Sequence, residues 1–250
     1  HHHRYAVDCL SKMPVYEMRK CYWDMEWMQD GKYNQMITCI VAYDSYDKEY
    51  TTFVWFPDET LVDTPIPSDE DYNESTVCYS SSEGAMLVKF LDYIMEKEPD
   101  MLISWFGWKF DLPKLIYRMV HYNLDPRLLS PFDELSGVSW GKDKPKIFKK
   151  QVDNYSPTYQ PIKGIITVPL ELAFERQWND AQKGTLPSMA LDYVAETVLG
   201  EKKLVSEKFP DKNEFFARGW LEDSQTYVEY ALRDVELIKR IDETNHLTEA

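Results

Sequence analysis

The 250-residue chain contains no apolar run long enough to cross a membrane as a helix. The longest run, residues 36–43, has the length of a β-strand. Only four cysteines are present, Cys9, Cys21, Cys39 and Cys78, and none forms a C-x-x-C pair, which argues against a zinc site. We interpret Cys39 as a small buried residue. Sparse, scattered cysteines are typical of a reducing, cytoplasmic-type compartment.

Positive charge is also scarce, because 28 Lys and Arg residues face 43 Asp and Glu residues, giving a net charge of −15. Proteins that coat nucleic acid are usually basic, so this balance argues against a general DNA-binding protein. It agrees with an enzyme that gathers carboxylates to bind divalent cations. Such an enzyme would repel DNA unless metals and a local basic patch compensated.

The chain divides into a short leader and one large domain. His1, His2 and His3 resemble the remnant of a purification tag, and residues 1–20 are interpreted as this remnant plus a linker or a piece of a preceding domain. Residues 21–245 are predicted to form one α/β domain with an irregular, lysine-rich insertion at about 130–163. Periodicity predicts strands at 21–27, 36–43, 50–56, 101–106 and 165–168, and helices at 83–96, 112–123, 169–181, 188–199 and 225–241.

Asp24 and Glu26 lie two residues apart on the first predicted strand. The side chains of a strand alternate, so both acids belong on the same face as Tyr22. Two adjacent carboxylates repel each other unless a cation lies between them, and such hard oxygen ligands suit Mg²⁺ or Mn²⁺. On spacing alone, an exposed strand face with two solvated acids is the favoured interpretation, since acids are common in this chain.

Two further sets of polar residues follow later elements. Asp111 lies between an apolar strand and a helix, where it is either the helix N-cap or a site residue at the tip of a buried strand. Tyr230 and Asp234 share one face of the last helix. Tyr230 is either a core residue, with Asp234 paired to a nearby Lys or Arg, or a phenol that orients water beside a metal ligand.

The ordered set of motifs is more specific than any single one. YWDMEW, WFGWKFDLPKLIYR and YALRDVEL resemble the three exonuclease motifs of the proofreading domain of family B DNA polymerases, a group of the DEDDy exonucleases. LDYVAETVLGEKKL is similar to the stretch before the third motif. The likeness runs from about residue 21 to 241. It implies a DnaQ-like, RNase H-like fold: a mixed five-stranded sheet flanked by helices, with the first three strands antiparallel.

The same resemblance implies the chemistry. Two Mg²⁺ or Mn²⁺ ions would activate water and stabilise the leaving 3′-oxygen during hydrolysis of a phosphodiester. The family pattern assigns the metal ligands to Asp24, Glu26, Asp111 and Asp234, with Asp24 bridging. Tyr230 would hold the attacking water, completing the catalytic set. Glu26 would also contact the terminal 3′-hydroxyl.

The sequence departs from the family pattern at two places. The Asn that usually precedes F-D in the second motif is replaced by Phe106 or Trp108. Because this Asn contacts DNA and not metal in the family, its loss affects binding of the DNA strand more than hydrolysis. The segment at residues 166–169, ITVP, carries no acid where the family often has an Asp. Trp108 is the favoured stacking platform for bases, since Trp105 or Phe106 must be core.

Basic residues near the motifs are candidates for phosphate contacts: Lys109 and Lys114 beside the second motif, and Lys144 and Lys146 in the insertion. A lysine-rich loop that is merely solvated is the simpler explanation for the last two. The expected partners are the 3′ end of single-stranded DNA and a polymerase domain of the same parent chain, with no membrane and a monomeric state. A free-standing exonuclease and a catalytically silent binding module are the alternatives.

Overall fold

The computed structural model describes the chain in the following segments: residues 17–29, 31–57, 75–136, 138–140, 145–147, 160–181 and 184–249. Its strands are Lys20–Trp27 (β1), Ile37–Asp44 (β2), Glu49–Trp55 (β3), Ser75–Ser80 (β4), Met101–Ser104 (β5), Val138–Trp140 (β6), Pro145–Ile147 (β7) and Ile166–Pro169 (β8). Its α-helices are Glu83–Lys97 (α1), Leu112–His121 (α2), Leu170–Asp180 (α3), Leu191–Leu199 (α4), Lys212–Glu222 (α5) and Ser224–Asn245 (α6). Two short helices are a π-helix, Gly107–Asp111, and a 3₁₀ helix, Pro126–Leu129.

The main sheet has the strand order β4-β3-β2-β1-β5-β8. Strands β1, β2 and β3 pair in antiparallel fashion, as predicted, while β5 runs parallel to β1 and β8 runs parallel to β5. The carboxyl ends of β1, β5 and β8 therefore meet at one edge of the sheet. Ligand sites of open α/β sheets lie at such edges, because the loops that leave the strands converge there.

The prediction of five strands is wrong by one, since the main sheet has six. The additional strand is β4, which pairs in parallel with β3. Its sequence, STVCYS, is only partly buried and shows no clear alternation of apolar and polar residues. Helix α5 was also not predicted, although it packs Phe215 and Trp220 into the core. The other predicted elements are present, with their ends shifted by a few residues.

Helices cover both faces of the sheet. The odd-numbered residues of β1 face α1, where Trp23 packs on Phe90 with ring centroids 5.7 Å apart. The even-numbered face meets α6, because the Tyr22 hydroxyl donates a hydrogen bond to Asp242 over 2.6 Å. Cys39 is fully buried, as predicted. Among the described residues, no helix is both long and apolar enough to cross a membrane.

The leader and the insertion are described only in part. Residues 1–16 lie outside the described residues, but Arg19 is bound to the domain: its backbone N–H donates to Asp100, and its guanidinium pairs with Asp44 and Asp47. The insertion includes an antiparallel hairpin formed by β6 and β7. At its base, Leu135 forms a β-bridge with Ile162.

Candidate active site

Three carboxylates from two regular elements meet at the carboxyl end of β1. Oxygen atoms of Asp24, Glu26 and Asp234 all lie within 4.8 Å of one another. The hydrogen bond between Tyr22 and Asp242 fixes the position of α6 along β1. Asp234 lies eight residues before Asp242, about 12 Å along a helix, and Glu26 lies four residues after Tyr22, about 13 Å along a strand. Asp234 is thereby brought level with Glu26.

Asp111 reaches the same cavity from the π-helix that follows β5. Its side chain makes no capping hydrogen bond to α2, so the interpretation as a simple N-cap does not apply. The π-helix packs closely on β5, because a Cβ at Gly107 would lie 2.2 Å from the Ser104 Oγ. Any larger residue at this position would force the Ser104 hydroxyl or the π-helix to move, so glycine favours the observed position of Asp111. The sequence-predicted acids therefore all line one cavity.

The cavity has a volume of about 280 Å³. It lies at the sheet edge where β1 and β5 end. Besides the four acids it is lined by aromatic rings and two lysines: Trp27, Trp105, Phe106, Phe110, Phe216, Tyr230, Lys203 and Lys212.

The carboxylates resist ionisation in the absence of a cation. Burial and the neighbouring Asp111, Asp234 and Glu26 raise the pKa of Asp24 well above its usual value. Burial and Asp234 raise the pKa of Glu26 to about 8, although Lys203 opposes the shift. Burial raises the pKa of Asp111 to about 7, against a hydrogen bond from Ser104. A cluster with these properties gains free energy by binding positive charge.

Lys203 is a site residue that the sequence analysis missed. Its ammonium donates to the Tyr230 hydroxyl over 3.0 Å and forms an ion pair with Asp234. Burial alone would lower the pKa of Lys203, but Asp234, Tyr230 and Asp24 hold it well above its usual value. The residue lies in the segment 200–206, here called the lysine loop. Its only sequence signal is the LDYVAETVLGEKKL stretch, to which no role was assigned.

The simpler interpretation of the last helix is confirmed, and the interpretation of Tyr230 and Asp234 as site residues stays a prediction. Tyr230 is a buried residue whose ring packs edge-on against Phe215 and Phe216 of α5, with centroids 5.5 Å apart in each pair. Asp234 is paired with a lysine, as the simpler interpretation proposed. Yet Asp234 also lies close to Asp24 and Glu26. Tyr230 lines the same cavity, and its hydroxyl accepts a hydrogen bond from Lys203.

The choice of Trp108 as a stacking platform is corrected by the structure. Its side chain is only 1% exposed, and its indole N–H donates to Thr167 over 2.9 Å, so no base can reach the ring. Trp105 is core, as expected of one of the strand aromatics, while Phe106 is partly exposed and lines the cavity. Phe110, which is 51% exposed, was missed as a stacking candidate.

The four lysine candidates have different surroundings. Lys109 lies 3.4 Å from the buried carboxylate of Glu171. Lys114 donates to the Gln35 side chain over 2.6 Å, and burial lowers its pKa to about 8. It lines a second groove of about 340 Å³ that shares Trp27 and Phe110 with the carboxylate cavity. Lys144 and the side chain of Lys146 lie outside the described residues.

The comparisons with known proteins agree with this geometry. The family model for the exonuclease domain of DNA polymerase family B matches residues 10–192. The chain belongs to this family. Its six-stranded mixed sheet with helices on both faces is RNase H-like. The matched range ends before α6, so it does not include Tyr230 and Asp234.

Curated relatives are whole DNA polymerases. The chain is 27% identical to DNA polymerase II of Escherichia coli strain K12 over 164 residues, which cover 65% of the chain and 19% of that protein. It is 34% identical to the DNA polymerase of Thermococcus litoralis over 127 residues, 49% of the chain and 6% of that protein. The DNA polymerase of Thermococcus aggregans is 34% identical over 129 residues. The matched segments therefore span less than a fifth of these relatives.

Proposed function

We propose that this domain is a metal-dependent 3′→5′ exonuclease that removes the terminal nucleotide of single-stranded or frayed DNA. The observation that carries the proposal is the meeting of four carboxylates, Asp24, Glu26, Asp111 and Asp234, in one cavity of an exonuclease-family domain. A structural role explains this arrangement poorly, because the single ammonium of Lys203 offsets only part of the repulsion among four buried acids that line one cavity.

The residues fit divalent metal ions. Asp111 Oδ2 and Asp234 Oδ1 are buried and have no hydrogen-bond partner among the described residues. Unsatisfied buried carboxylate oxygens are costly, so they indicate a missing ligand. Carboxylate oxygens are hard ligands that suit Mg²⁺ and Mn²⁺, and we propose that Asp24, Glu26, Asp111 and Asp234 hold two such ions. When bound, these ions would supply an activated water and neutralise charge on the leaving oxygen.

The protein itself positions the reactants. The Tyr230 hydroxyl, kept in place by Lys203 and by the rings of α5, is proposed to orient the attacking water through a hydrogen bond. Lys203 brings a positive charge to the side of the cavity where negative charge develops during hydrolysis. Preorganised groups of this kind stabilise the transition state without reorganisation.

The strand would enter along the aromatic side of the cavity. Phe106 and Phe110 offer partly exposed rings, and stacking of a base on such a ring contributes about 1–3 kcal/mol. Lys114 lies in the adjoining groove and is proposed to contact a phosphate. Lys109, Lys144 and Lys146 remain predicted phosphate contacts.

We further propose that the domain proofreads within a longer DNA polymerase. The relatives are whole polymerases of which the matched segments form 19% or less. The polymerase domain of the same parent chain would then be its partner. A free-standing exonuclease would carry the same cavity.

The test uses a 5′-labelled primer with a 3′ mismatch, incubated with the protein and Mg²⁺ or Mn²⁺, with and without EDTA. We expect shortening from the 3′ end that EDTA abolishes. Asp24→Asn should reduce the rate on the order of 10³-fold while the circular dichroism spectrum stays unchanged. Asp92→Asn, an exposed acid on α1, is the matched control. Equal rates for Asp24→Asn and the wild type would refute the proposal.

A further inference from the structure

Lys203 is held tightly although its segment has no regular structure. Residues 201–206 of the lysine loop form neither helix nor strand. The side chain of Lys203 is nevertheless only 17% exposed and is bonded to both Tyr230 and Asp234. A long, flexible side chain on an irregular loop loses much conformational entropy when it is confined in this way. Contacts other than these two must therefore restrain the loop.

The first restraint is Asp192, in the first turn of α4. Its Oδ1 accepts a hydrogen bond from the backbone N–H of Lys203 over 3.0 Å, across eleven residues of chain. This bond acts on the backbone of the residue whose ammonium enters the cavity. It therefore sets the point from which the lysine side chain extends.

The second restraint is Glu201, which ties the loop to α6. Its carboxylate accepts hydrogen bonds from Arg233 over 2.7 Å and from Arg240 over 2.6 Å. Helix α6 also carries Tyr230 and Asp234, the two groups that Lys203 contacts. Glu201 and Arg233 are 22% and 20% exposed, so solvent screens this pair only in part. The lysine loop is thus held in a fixed position relative to α6.

Another ion pair of the same loop differs in exposure. Lys202 and Glu196 lie 2.8 Å apart, but their side chains are 65% and 54% exposed. Such a surface pair contributes little, because solvent screens it and both side chains lose mobility. The Glu196 pair therefore serves as an internal control for the other two anchors.

We propose that Asp192 and Glu201 are positioning residues that hold the ammonium of Lys203 at the catalytic carboxylates through the lysine loop. The kinetic consequence rests on the function proposed above, whereas the anchoring itself does not. A displacement of about 1 Å in a positioning group is enough to slow a reaction on the order of 10²-fold. Loosening the loop should therefore lower kcat more than it changes KM.

The anchoring is tested without metal or DNA. The protein is treated with a limiting amount of an acetylating reagent, and modification of Lys203 is followed by peptide mass spectrometry. We expect Asp192→Ala and Glu201→Ala each to increase the acetylation rate of Lys203 by about threefold or more, because the released side chain becomes accessible to the reagent, which reacts with its deprotonated amine. Asp192→Asn retains an acceptor oxygen and should restore slow acetylation, and Glu196→Ala should match the wild type. Unchanged acetylation in both anchor variants would overturn the inference.

The kinetic arm measures hydrolysis of a single-stranded oligonucleotide. Asp192→Ala should lower kcat by about tenfold with a change in KM of less than about twofold. In a Lys203→Ala background the same change should have no further effect, since Asp192 acts through the ammonium that the Lys203→Ala substitution has already removed. An equal loss in both backgrounds would show that Asp192 acts by another route and would overturn the positioning role. Absence of hydrolysis by the wild type would instead refute the proposed function, and the acetylation result would still decide the anchoring.

Discussion

The two sides of the cavity are built differently. Asp24 and Glu26 lie on β1, which pairs with β2 at both residues, and Asp234 lies within the longest described helix, α6. Opposite them, Lys203 lies on an irregular loop and depends on side-chain bonds to other elements. The comparison teaches that β1 and α6 carry three of the acids in a geometry readable from spacing, whereas the position of Lys203 depends on tertiary contacts.

Among the changes that test this comparison, the largest expected effect comes from removing the ammonium of Lys203. Lys203→Ala should reduce the rate of oligonucleotide hydrolysis by about 10²-fold, because Tyr230 loses its hydrogen bond and the cavity loses a positive charge. Steady-state kinetics in Mn²⁺ measure this. Lys202→Ala, which removes the neighbouring exposed lysine, is the control and should stay within about twofold of the wild type. Similar losses for both lysines would mean that the rate depends on the number of positive charges in this region and not on the position of Lys203.

A smaller effect is expected at Gly107, in the π-helix that carries Asp111. In Gly107→Ala, the new Cβ would meet the Ser104 Oγ at 2.2 Å, so the π-helix must shift and carry Asp111 with it. We expect the free energy of unfolding to fall by about 1–3 kcal/mol, measured by urea denaturation. Adding Ser104→Ala removes the clashing oxygen and should recover part of the loss. No recovery in the double variant would place the strain elsewhere.

A further effect, which depends on pH, is expected at Glu171, a buried acid in the first turn of α3. Both carboxylate oxygens of Glu171 lack a hydrogen-bond partner among the described residues, and burial raises its pKa to about 7 despite the ion pair with Lys109. Between the ordinary pKa of a glutamate and this raised value, the folded state binds more protons than the unfolded state. The stability contributed by protonated Glu171 is therefore lost as pH rises toward 7.

Glu171→Gln removes this titration and leaves the shape of the side chain nearly unchanged. Relative to the wild type, its free energy of unfolding should increase between pH 5 and pH 8, by at most about 3 kcal/mol. Urea denaturation in EDTA at both pH values measures the difference, and taking the difference cancels the titration of the other acids. A variant that loses stability at pH 8 would show that the ion pair with Lys109 outweighs the burial of the charge.

Parts of the fold were predictable because they depend on local periodicity. The alternation along β1 placed Asp24 and Glu26 on one face, and the apolar faces of α1 and α6 gave both helices to within a few residues. Helix α5 was missed because Gly219 interrupts its pattern, at a cost of about 1 kcal/mol that core packing of Trp220 offsets. Strand β4 was missed because it is short and half-buried, and its place depends on pairing with β3.

By itself, the sequence determined that Asp24 and Glu26 share one face of β1 and that Tyr230 and Asp234 share one face of α6, since these properties follow from the repeat of a strand or a helix. Only the tertiary structure decided which other side chains reach them. The π-helix after β5 turns Trp108 into the core and Asp111 into the cavity, a change of direction that no regular repeat contains. Lys203 arrives on a loop held by distant residues, so its role depends on three-dimensional contacts rather than on spacing.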